Sequence, residues 1–310
     1  MTDEAKFAED LPGEDTRSHI RKAELLYAVI GNPVAHSLGP GMHNRAFAAV
    51  GHRGLYVALT VSDIGGAMIG VRALGIAGVS VTIPHKIGVM AHLDEIDETA
   101  RAIGAVNTVV NRDGRLVGYN TDAAGAVSAL EEATPLTGRT VAVIGAGGAA
   151  RAVGFGVLGK GARTVVVNRS ADRGIALARR LGGTYVSLKD FDGAGIDILV
   201  NTTPVGMVPD TSQMPVPVET LAPEMTVMDA VYNPIRTKLL IEAERIGCKT
   251  VDGVSMFVYQ GARQFTLWTG KSAPVPAMRK AVLEALGKAP APDRSVRSHR
   301  DPASKNGSSP

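Results

Sequence analysis

The chain has 310 residues, 45% of them hydrophobic and 20% charged, so it is long enough for two globular domains and too apolar to be disordered throughout. Its 33 basic and 30 acidic residues give a net charge of +3, too balanced to indicate a nucleic-acid-binding protein. A single cysteine, Cys248, excludes an intrachain disulfide, and we expect a cytoplasmic protein. The N-terminus lacks a signal-peptide pattern and no apolar run reaches about 18 residues, so we expect no membrane span.

The first part of the chain alternates between predicted strands and helices. Residues 1–23 are polar and without periodicity, which predicts a disordered tail. Apolar runs then predict three strands separated by helices, at 25–30, 55–61 and 78–83. This alternation is typical of a parallel α/β sheet. Asp113-Gly114 between two alternating runs predicts a β-hairpin.

The second part of the chain repeats the alternation. Its predicted strands are 140–144, 164–167, 196–200 and 226–229, and its clearest helices are 172–181, 238–246 and 255–268. Residues 288–310 are rich in Pro, Ala, Ser and Arg, which predicts a second disordered tail. We therefore predict an α/β fold of two α/β domains with a deep cleft between them. Residues 24–124 plus 254–287 would form an N-terminal parallel-sheet substrate domain, and residues 125–253 a Rossmann domain.

A glycine-rich segment follows the strand at 140–144. Residues 145–150 (GAGGAA) fit the dinucleotide-binding pattern G-x-G-x-x-G/A between a strand and a helix, which is the context that this pattern requires. Glycines there allow a tight turn and a close approach of the pyrophosphate, which the helix N-terminus binds through free N–H groups. The alternative interpretation is a tight βα turn that binds no ligand.

The end of the next strand indicates which nucleotide binds. An NAD site usually has Asp or Glu there for the ribose hydroxyls, whereas this chain has Asn168-Arg169-Ser170 and, one turn later, Arg173. Two guanidinium groups and a hydroxyl suit a 2′-phosphate. The sequence therefore predicts NADP(H), and the alternative is two solvated surface arginines.

The segment from Val79 to Lys86 carries the first catalytic candidate. Alternating β-branched residues predict a strand, and Pro84 suits the first position of a helix, which would place Lys86 in the first helical turn. A cation is unusual there because the helix N-terminus is already partly positive, and such a broken rule points to function. Interconverting a carbonyl and an alcohol needs a proton donor or acceptor, and Lys86 is the first choice. The alternative is a solvated lysine.

Asp122 is the second catalytic candidate. It opens the helix predicted from Ala123 to about Glu132 and could orient Lys86 if both face one cleft. The alternative is a plain helix N-cap.

Short polar residues at strand or loop ends suit a polyhydroxylated substrate. These are Ser37, Thr82 and Asn107. His36 and His85 have no neighbours in the sequence that would predict a metal site, so we expect no metal.

The motifs together form a familiar set. In chain order they are 31–37 (GNPVAHS), 81–86 (VTIPHK), 104–108 (GAVNT), 120–122 (NTD), 145–149 (GAGGA), 168–170 (NRS), 201–207 (NTTPVGM), 231–234 (VYNP), 252–253 (DG) and 259–262 (YQGA). In this order and spacing, the chain closely resembles the shikimate dehydrogenase family of the aromatic amino-acid (chorismate) pathway. The resemblance covers about residues 25–287.

The resemblance implies a reversible, NADPH-dependent reduction of 3-dehydroshikimate to shikimate, with Lys86 and Asp122 as the catalytic pair. It implies that the substrate-binding positions are Ser37, Gly39, Thr82, Asn107, Tyr232 and Gln260. It implies that the cofactor-binding positions are Gly145, Ala146, Gly147, Gly148, Ala149, Asn168, Arg169, Ser170, Arg173, Ala230 and Gly253. The partner is then a small-molecule substrate, and the chain is compatible with a homodimer.

Two positions depart from the family pattern. Gly39 stands where the family commonly has a serine that binds the substrate carboxylate, a hydrogen bond of about 1.5–3 kcal/mol. Ser80 stands where the family commonly has asparagine. One alternative is a quinate/shikimate dehydrogenase working with NAD, which the arginines at 169 and 173 disfavour. Another is a non-catalytic NADP-binding regulator, which the presence of both Lys86 and Asp122 disfavours.

Overall fold

A computed structural model describes residues 24–288 of the chain. The predicted tails, 1–23 and 288–310, lie outside the described residues except for Lys288, which ends the last helix. In the described part of the chain, no helix is long and apolar enough to cross a membrane.

The strands form two six-stranded sheets. The first contains β1 (Leu25–Gly31), β2 (Gly54–Thr60), β3 (Gly78–Val81), β4 (Glu95–Ile96), β5 (Thr108–Arg112) and β6 (Arg115–Tyr119). The second contains β7 (Thr140–Ile144), β8 (Arg163–Asn168), β9 (Thr184–Ser187), β10 (Ile198–Asn201), β11 (Thr226–Asp229) and β12 (Lys249–Val251). The α-helices of the described residues are α1 (Gly39–Ala49), α2 (Ile64–Ala73), α3 (Glu98–Ile103), α4 (Asp122–Glu131), α5 (Gly148–Leu158), α6 (Ala171–Leu181), α7 (Lys238–Ile246), α8 (Gly253–Thr269) and α9 (Val275–Lys288).

The two sheets differ in topology. The first has the order β2-β1-β3-β5-β6-β4 and is mixed, because β5, the first strand of the predicted hairpin, runs antiparallel to both neighbours. The second has the order β12-β11-β10-β7-β8-β9, and all its pairs are parallel. Counted from β7, this is the 3-2-1-4-5-6 order of dinucleotide-binding folds. The predicted α/β class with two sheets, the second of them a Rossmann sheet, is confirmed, whereas the first sheet, predicted to be parallel, is mixed because the hairpin adds an antiparallel strand.

The second sheet is covered on both faces, as the side chains of strand β7 show. Side chains alternate across a strand, and here both sets are apolar. Val141 and Val143 pack into one core with α4, α5 and α6, whereas Ala142 and Ile144 pack into another core with α7. A strand that is buried on both faces is typical of the centre of a parallel sheet.

The last two helices return to the first sheet. Val254, Val258 and Phe265 of α8 and Met278 of α9 lie in one apolar core with Tyr27 of β1. In the first turn of α8, Met256 packs into the core of the second sheet that contains Val141 and Val143. Helix α8 therefore packs against both halves of the molecule and lies where they meet.

A second connection joins the two halves through an arginine. Arg180 of α6 donates hydrogen bonds to the carbonyl oxygen of Ala102, at 2.8 and 2.6 Å, and to that of Arg101, at 2.9 Å. These carbonyls lie at the C-terminal end of α3, where carbonyl groups lack helical partners and a cation is favourable. The contact joins α6 of the Rossmann half to α3 of the first half.

The prediction of a regular helix beginning at Pro84 is wrong. Residues 83–87 form a turn, and only a short 3₁₀ helix, Gly88–His92, follows. Other segments bind the carbonyl groups that an α-helix would use, since the Lys86 oxygen accepts from the Val106 N–H at 2.8 Å and the Ile83 oxygen from the Asn32 N–H at 2.9 Å. Lys86 therefore lies in the turn that joins β3 to this 3₁₀ helix.

Candidate active site

The ammonium group of Lys86 meets the carboxylate of Asp122. Lys86 Nζ lies 2.5 Å from Asp122 Oδ2, and the side chains are only 17% and 7% exposed. An ion pair so little exposed is stabilised by geometry and further hydrogen bonds, whereas an exposed pair contributes little. The predicted pairing of these residues is present in the structure, although Lys86 reaches it from a turn.

Asp122 does not cap its own helix. It is the first residue of α4, and the amide oxygen of Asn120 accepts hydrogen bonds from the Asp122 and Ala123 N–H groups instead. The carboxylate of Asp122 is thus free to bind side chains of other segments of the first half, Lys86 and Asn107. Its second oxygen, Oδ1, accepts from Asn107 Nδ2 at 2.8 Å.

Two further polar residues surround Asn107. Its Nδ2 also lies 2.9 Å from Thr121 Oγ1 and 3.4 Å from Gln260 Oε1. Gln260 can come this close because α4 has Gly125 at the crossing: a Cβ at Gly125 would stand 2.8 Å from the Gln260 nitrogen and Cβ. The sequence-predicted residues Lys86, Asp122, Asn107 and Gln260 therefore form one hydrogen-bonded cluster.

The other predicted substrate residues of the first sheet lie at its same edge. Ser37 and Gly39 follow β1, and Thr82 follows β3, the parallel neighbour of β1. Asn107 immediately precedes the antiparallel strand β5, so it reaches the same edge from the opposite direction. Ligands of open α/β sheets bind outside the carboxyl ends of the strands, and this edge is such a place.

Gly39 and Ser37 lie close to a buried tyrosine. Gly39 N–H donates to Ser37 Oγ at 3.2 Å, and a Cβ at Gly39 would stand 3.4 Å from the Tyr56 hydroxyl. Burial raises the pKa of Tyr56, and the nearby Tyr232 adds to this increase. Tyr232 itself stacks on Phe257, with ring centroids 4.6 Å apart. Tyr232 therefore extends the site from the Rossmann half.

The glycine-rich turn between β7 and α5 lies against the lysine. Gly145 has a φ of +118°, which L side chains rarely adopt, and a Cβ there would stand 2.7 Å from Thr202 Oγ1. Helix α5 begins at Gly148 and no described side chain caps it. A Cβ at Gly148 would lie 3.3 Å from Cβ and Cδ of Lys86. An anion-binding helix N-terminus thus adjoins the proton-transfer candidate.

The remaining predicted cofactor positions line the second sheet's carboxyl edge. Asn168 ends β8, and its Nδ2 donates to the Ser170 oxygen at 2.8 Å, while Arg169 and Arg173 are exposed. At Gly253, a Cβ would stand 2.4 Å from the Val231 oxygen and 2.8 Å from the Ala230 oxygen, so only glycine fits. These residues fit a phosphate-bearing dinucleotide, because they offer a bare helix N-terminus, two cations and close backbone approaches.

Several buried polar residues next to the cluster were missed by the sequence analysis. Thr108 and Gln264 are 0% and 2% exposed, and Gln264 Nε2 donates to Thr108 Oγ1 at 3.0 Å. One signal was available: Gln264 follows Gln260 by four residues, so both glutamines lie on the same face of α8. Among the described residues, no group of three or more His, Cys, Asp or Glu could hold a metal ion.

A dinucleotide fold whose glycine-rich turn touches a lysine–carboxylate pair on a second α/β unit defines the class of two-domain nicotinamide-dependent oxidoreductases. Three family models match the chain: "Shikimate dehydrogenase substrate binding domain" at residues 29–109, "Shikimate / quinate 5-dehydrogenase" at 128–205, and "Shikimate 5'-dehydrogenase C-terminal domain" at 253–283. The chain belongs to the shikimate dehydrogenase family.

Individual relatives agree with this assignment. The chain is 48% identical over 273 residues to the NADP⁺-dependent shikimate dehydrogenase of Geobacillus kaustophilus, covering 85% of this chain and 99% of the relative. A crystal structure of the Thermus thermophilus shikimate 5-dehydrogenase with NADP(H) and shikimate is 42% identical, with a TM-score of 0.79, covering 84% and 100% of the chains. Quinate dehydrogenase from Corynebacterium glutamicum with NAD is 32% identical, with a TM-score of 0.78, covering 84% and 99%.

Proposed function

We propose that this protein catalyses the reversible, NADPH-dependent reduction of 3-dehydroshikimate to shikimate, with Lys86 and Asp122 handling the proton. The family and its NADP⁺-dependent members support the reaction. The observation that carries the proposal is the Lys86–Asp122 ion pair, at 2.5 Å, against the glycine-rich turn.

The roles of the pair follow from its geometry. When bound, NADPH supplies the hydride that reduces the carbonyl carbon. Lys86 gives a proton from Nζ to the carbonyl oxygen as negative charge develops there, and accepts one in the reverse reaction. Asp122 holds Nζ in place and stabilises its charged form, while its second oxygen is bound by Asn107. Low exposure of both side chains strengthens these interactions.

The substrate would lie along the edge formed by Ser37, Gly39, Thr82, Asn107, Gln260 and Tyr232. Amide and hydroxyl groups suit the ring hydroxyls of a polyhydroxylated acid, since each can both donate and accept. Ser37 would bind the carboxylate, next to the position where Gly39 lacks a side chain.

The cofactor would be held by residues of the second sheet: the turn Gly145 to Ala149, the segment Asn168, Arg169, Ser170 and Arg173, and Ala230 with Gly253. Exposed arginines at the end of β8 favour NADP(H) over NAD(H), because a 2′-phosphate offers several acceptors to a guanidinium.

The test is reduction of NADP⁺, followed by absorbance, with shikimate and quinate offered separately and again with NAD⁺. We expect strong activity only with shikimate and NADP⁺. Activity with quinate or NAD⁺ would support the quinate/shikimate alternative and contradict the role of the arginines. No turnover in any combination, with NADPH still bound, would favour either a different substrate or a non-catalytic regulator.

The assembly and the location of the protein remain predictions. We propose a cytoplasmic protein that forms a homodimer. Light scattering coupled to size-exclusion chromatography measures the oligomeric state, and fluorescence of the tagged full-length chain in cells tests the location.

A further inference from the structure

A chain of buried side-chain hydrogen bonds runs from Tyr56 to the catalytic pair. Tyr56 donates to Ser80 Oγ at 2.6 Å, and Ser80 donates to Gln264 Oε1 at 2.9 Å. Gln264 Nε2 donates to Thr108 Oγ1 at 3.0 Å, and Thr108 donates to Asn107 Oδ1 at 2.7 Å. Asn107 Nδ2 then donates to Asp122. Each donor in this series points toward Asp122.

The orientation of the Gln264 amide determines which group donates and which accepts in each of these hydrogen bonds. Its Nε2 also donates to the main-chain oxygen of Asn107, at 3.2 Å. A carbonyl oxygen can only accept, so the amide group of Gln264 cannot turn over without placing two oxygens together. With Nε2 fixed on this side, Oε1 must accept from Ser80, and Thr108 Oγ1 must accept from Gln264.

The orientation of the Asn107 amide follows from that of Gln264. Because Thr108 Oγ1 accepts from Gln264, its single hydrogen is available for Asn107 Oδ1. The Thr121 N–H also donates to Asn107 Oδ1, at 2.8 Å. Two donors thus fix Oδ1 on one side, and Nδ2 is turned toward Asp122. All of these side chains are less than a tenth exposed, so water does not compete for these bonds.

We propose that Gln264 is a positioning residue of this site, which acts through Thr108 to fix the amide of Asn107 and thereby the carboxylate of Asp122. The inference rests on the proposed function of the Lys86–Asp122 pair. It also gives a role to Ser80, which stands where the family commonly has asparagine: its hydroxyl donates to Oε1 of Gln264.

Two variants remove consecutive hydrogen bonds while keeping side-chain size. Gln264→Met removes the donor to Thr108, and Thr108→Val removes the donor to Asn107. We expect each to lower kcat for shikimate oxidation about three- to tenfold, the effect of one net hydrogen bond, with KM for NADP⁺ unchanged. Because both act through the same bond to Asn107, the double variant should lose little more than either single variant.

Two controls separate positioning from loss of stability. Thr108→Ser keeps the hydroxyl and should retain nearly all of kcat. Phe265→Leu lies next to Gln264 but faces the apolar core of the first sheet, so it should lower Tm and leave kcat unchanged.

The role of Gln264 is overturned if Gln264→Met keeps the wild-type kcat. It is also overturned if the decrease in kcat of the double variant equals the product of the two single decreases, or if Thr108→Ser loses as much kcat as Thr108→Val. If Gln264→Met does not fold, the comparison of kcat between Thr108→Val and Thr108→Ser decides alone.

Wild-type protein is assayed first with the four substrate and cofactor pairs. Turnover of an alcohol other than shikimate would overturn the substrate assignment, and the same variant ratios are then measured on that alcohol.

Discussion

Gly148 and Lys86 approach each other across the boundary between the two sheets: a Cβ at Gly148 would stand 3.3 Å from both Cβ and Cδ of the lysine. Such a distance is tighter than ordinary van der Waals contact, so a methyl group there would have to displace the lysine side chain. The first residue of α5 thus limits where the ammonium group can lie.

Gly148→Ala should therefore act on the chemical step. We expect a several-fold loss of kcat, because Lys86 is displaced from Asp122 by a few tenths of an ångström. Gly147→Ala is the matched control: no atom lies within 4 Å of its Cβ position, so it should raise KM for NADP⁺ by crowding the pyrophosphate and spare kcat. Steady-state kinetics of both variants decide, and equal kcat values for Gly148→Ala and wild type would contradict the expectation.

Gly39 tests the contact with the substrate carboxylate. A Cβ there would lie 3.2 Å from Ser37 Oγ and from Tyr56 Cε1, so any side chain has a steric cost. Gly39→Ala and Gly39→Ser share this cost, but only the serine adds a donor. We expect KM for shikimate to be about tenfold lower in Gly39→Ser than in Gly39→Ala, as a hydrogen bond to a charged group provides. Equal KM values would mean that this position does not face the carboxylate.

The arginines at the end of β8 should determine cofactor preference. Arg169→Ala and Arg173→Ala are each expected to raise KM for NADP⁺ by about tenfold or more, the effect of a hydrogen bond to a charged group, and to leave KM for NAD⁺ unchanged. Arg163→Ala is the control, because Arg163 is an exposed arginine at the opposite end of the same strand. Parallel losses with both cofactors would exclude recognition of the 2′-phosphate.

Asp229 should make stability depend on pH. Burial raises its pKa from 3.8 to about 6, although Thr237, Val231 and Asn201 donate hydrogen bonds to it. A raised pKa means that its contribution to stability is full below about pH 3.8 and is lost as the pH rises through 6, in total about 3 kcal/mol. Asp229→Asn should therefore become more favourable relative to wild type between pH 4 and 7.5, as measured by urea unfolding.

Asp197 provides the control of opposite sign. The hydrogen bond from the Thr140 N–H is the main cause that lowers the pKa of this carboxyl. Its contribution to stability is therefore present at neutral pH and lost as the pH falls, so Asp197→Asn should approach wild type in acid. If both variants follow the wild-type pH dependence, burial of Asp229 does not shift its pKa.

The sequence predicted best the elements with local signals. Strand β7 and helix α7 were predicted with their observed bounds, the first as an apolar run before a glycine turn and the second between Thr237, which caps it, and Gly247. Strand β4 was missed, because two residues, Glu95 and Ile96, give no periodicity and pair only through β6. The turn at Lys86 was missed because its carbonyl groups bind residues distant in sequence.

The site residues likewise fall into those that sequence motifs indicated and those that they did not. Lys86, Asp122, Asn107 and Gln260 belong to motifs whose order indicated the family, and the structure brings these four together. The role of Gln264 depends on Asn107, 157 residues earlier, and no local pattern indicates such a partner. Long-range hydrogen bonds between buried side chains become visible only when the fold is known.

The most direct test of the account is the turnover of Lys86→Ala together with its affinity for NADPH. A lost general acid should lower kcat for 3-dehydroshikimate reduction by about 10²- to 10⁴-fold while NADPH still binds as tightly as to wild type. Asp122→Asn, which keeps the side-chain size, should lower kcat in the same direction. A Lys86→Ala protein that binds NADPH and turns over at the wild-type rate would contradict the central claim that this ion pair transfers the proton.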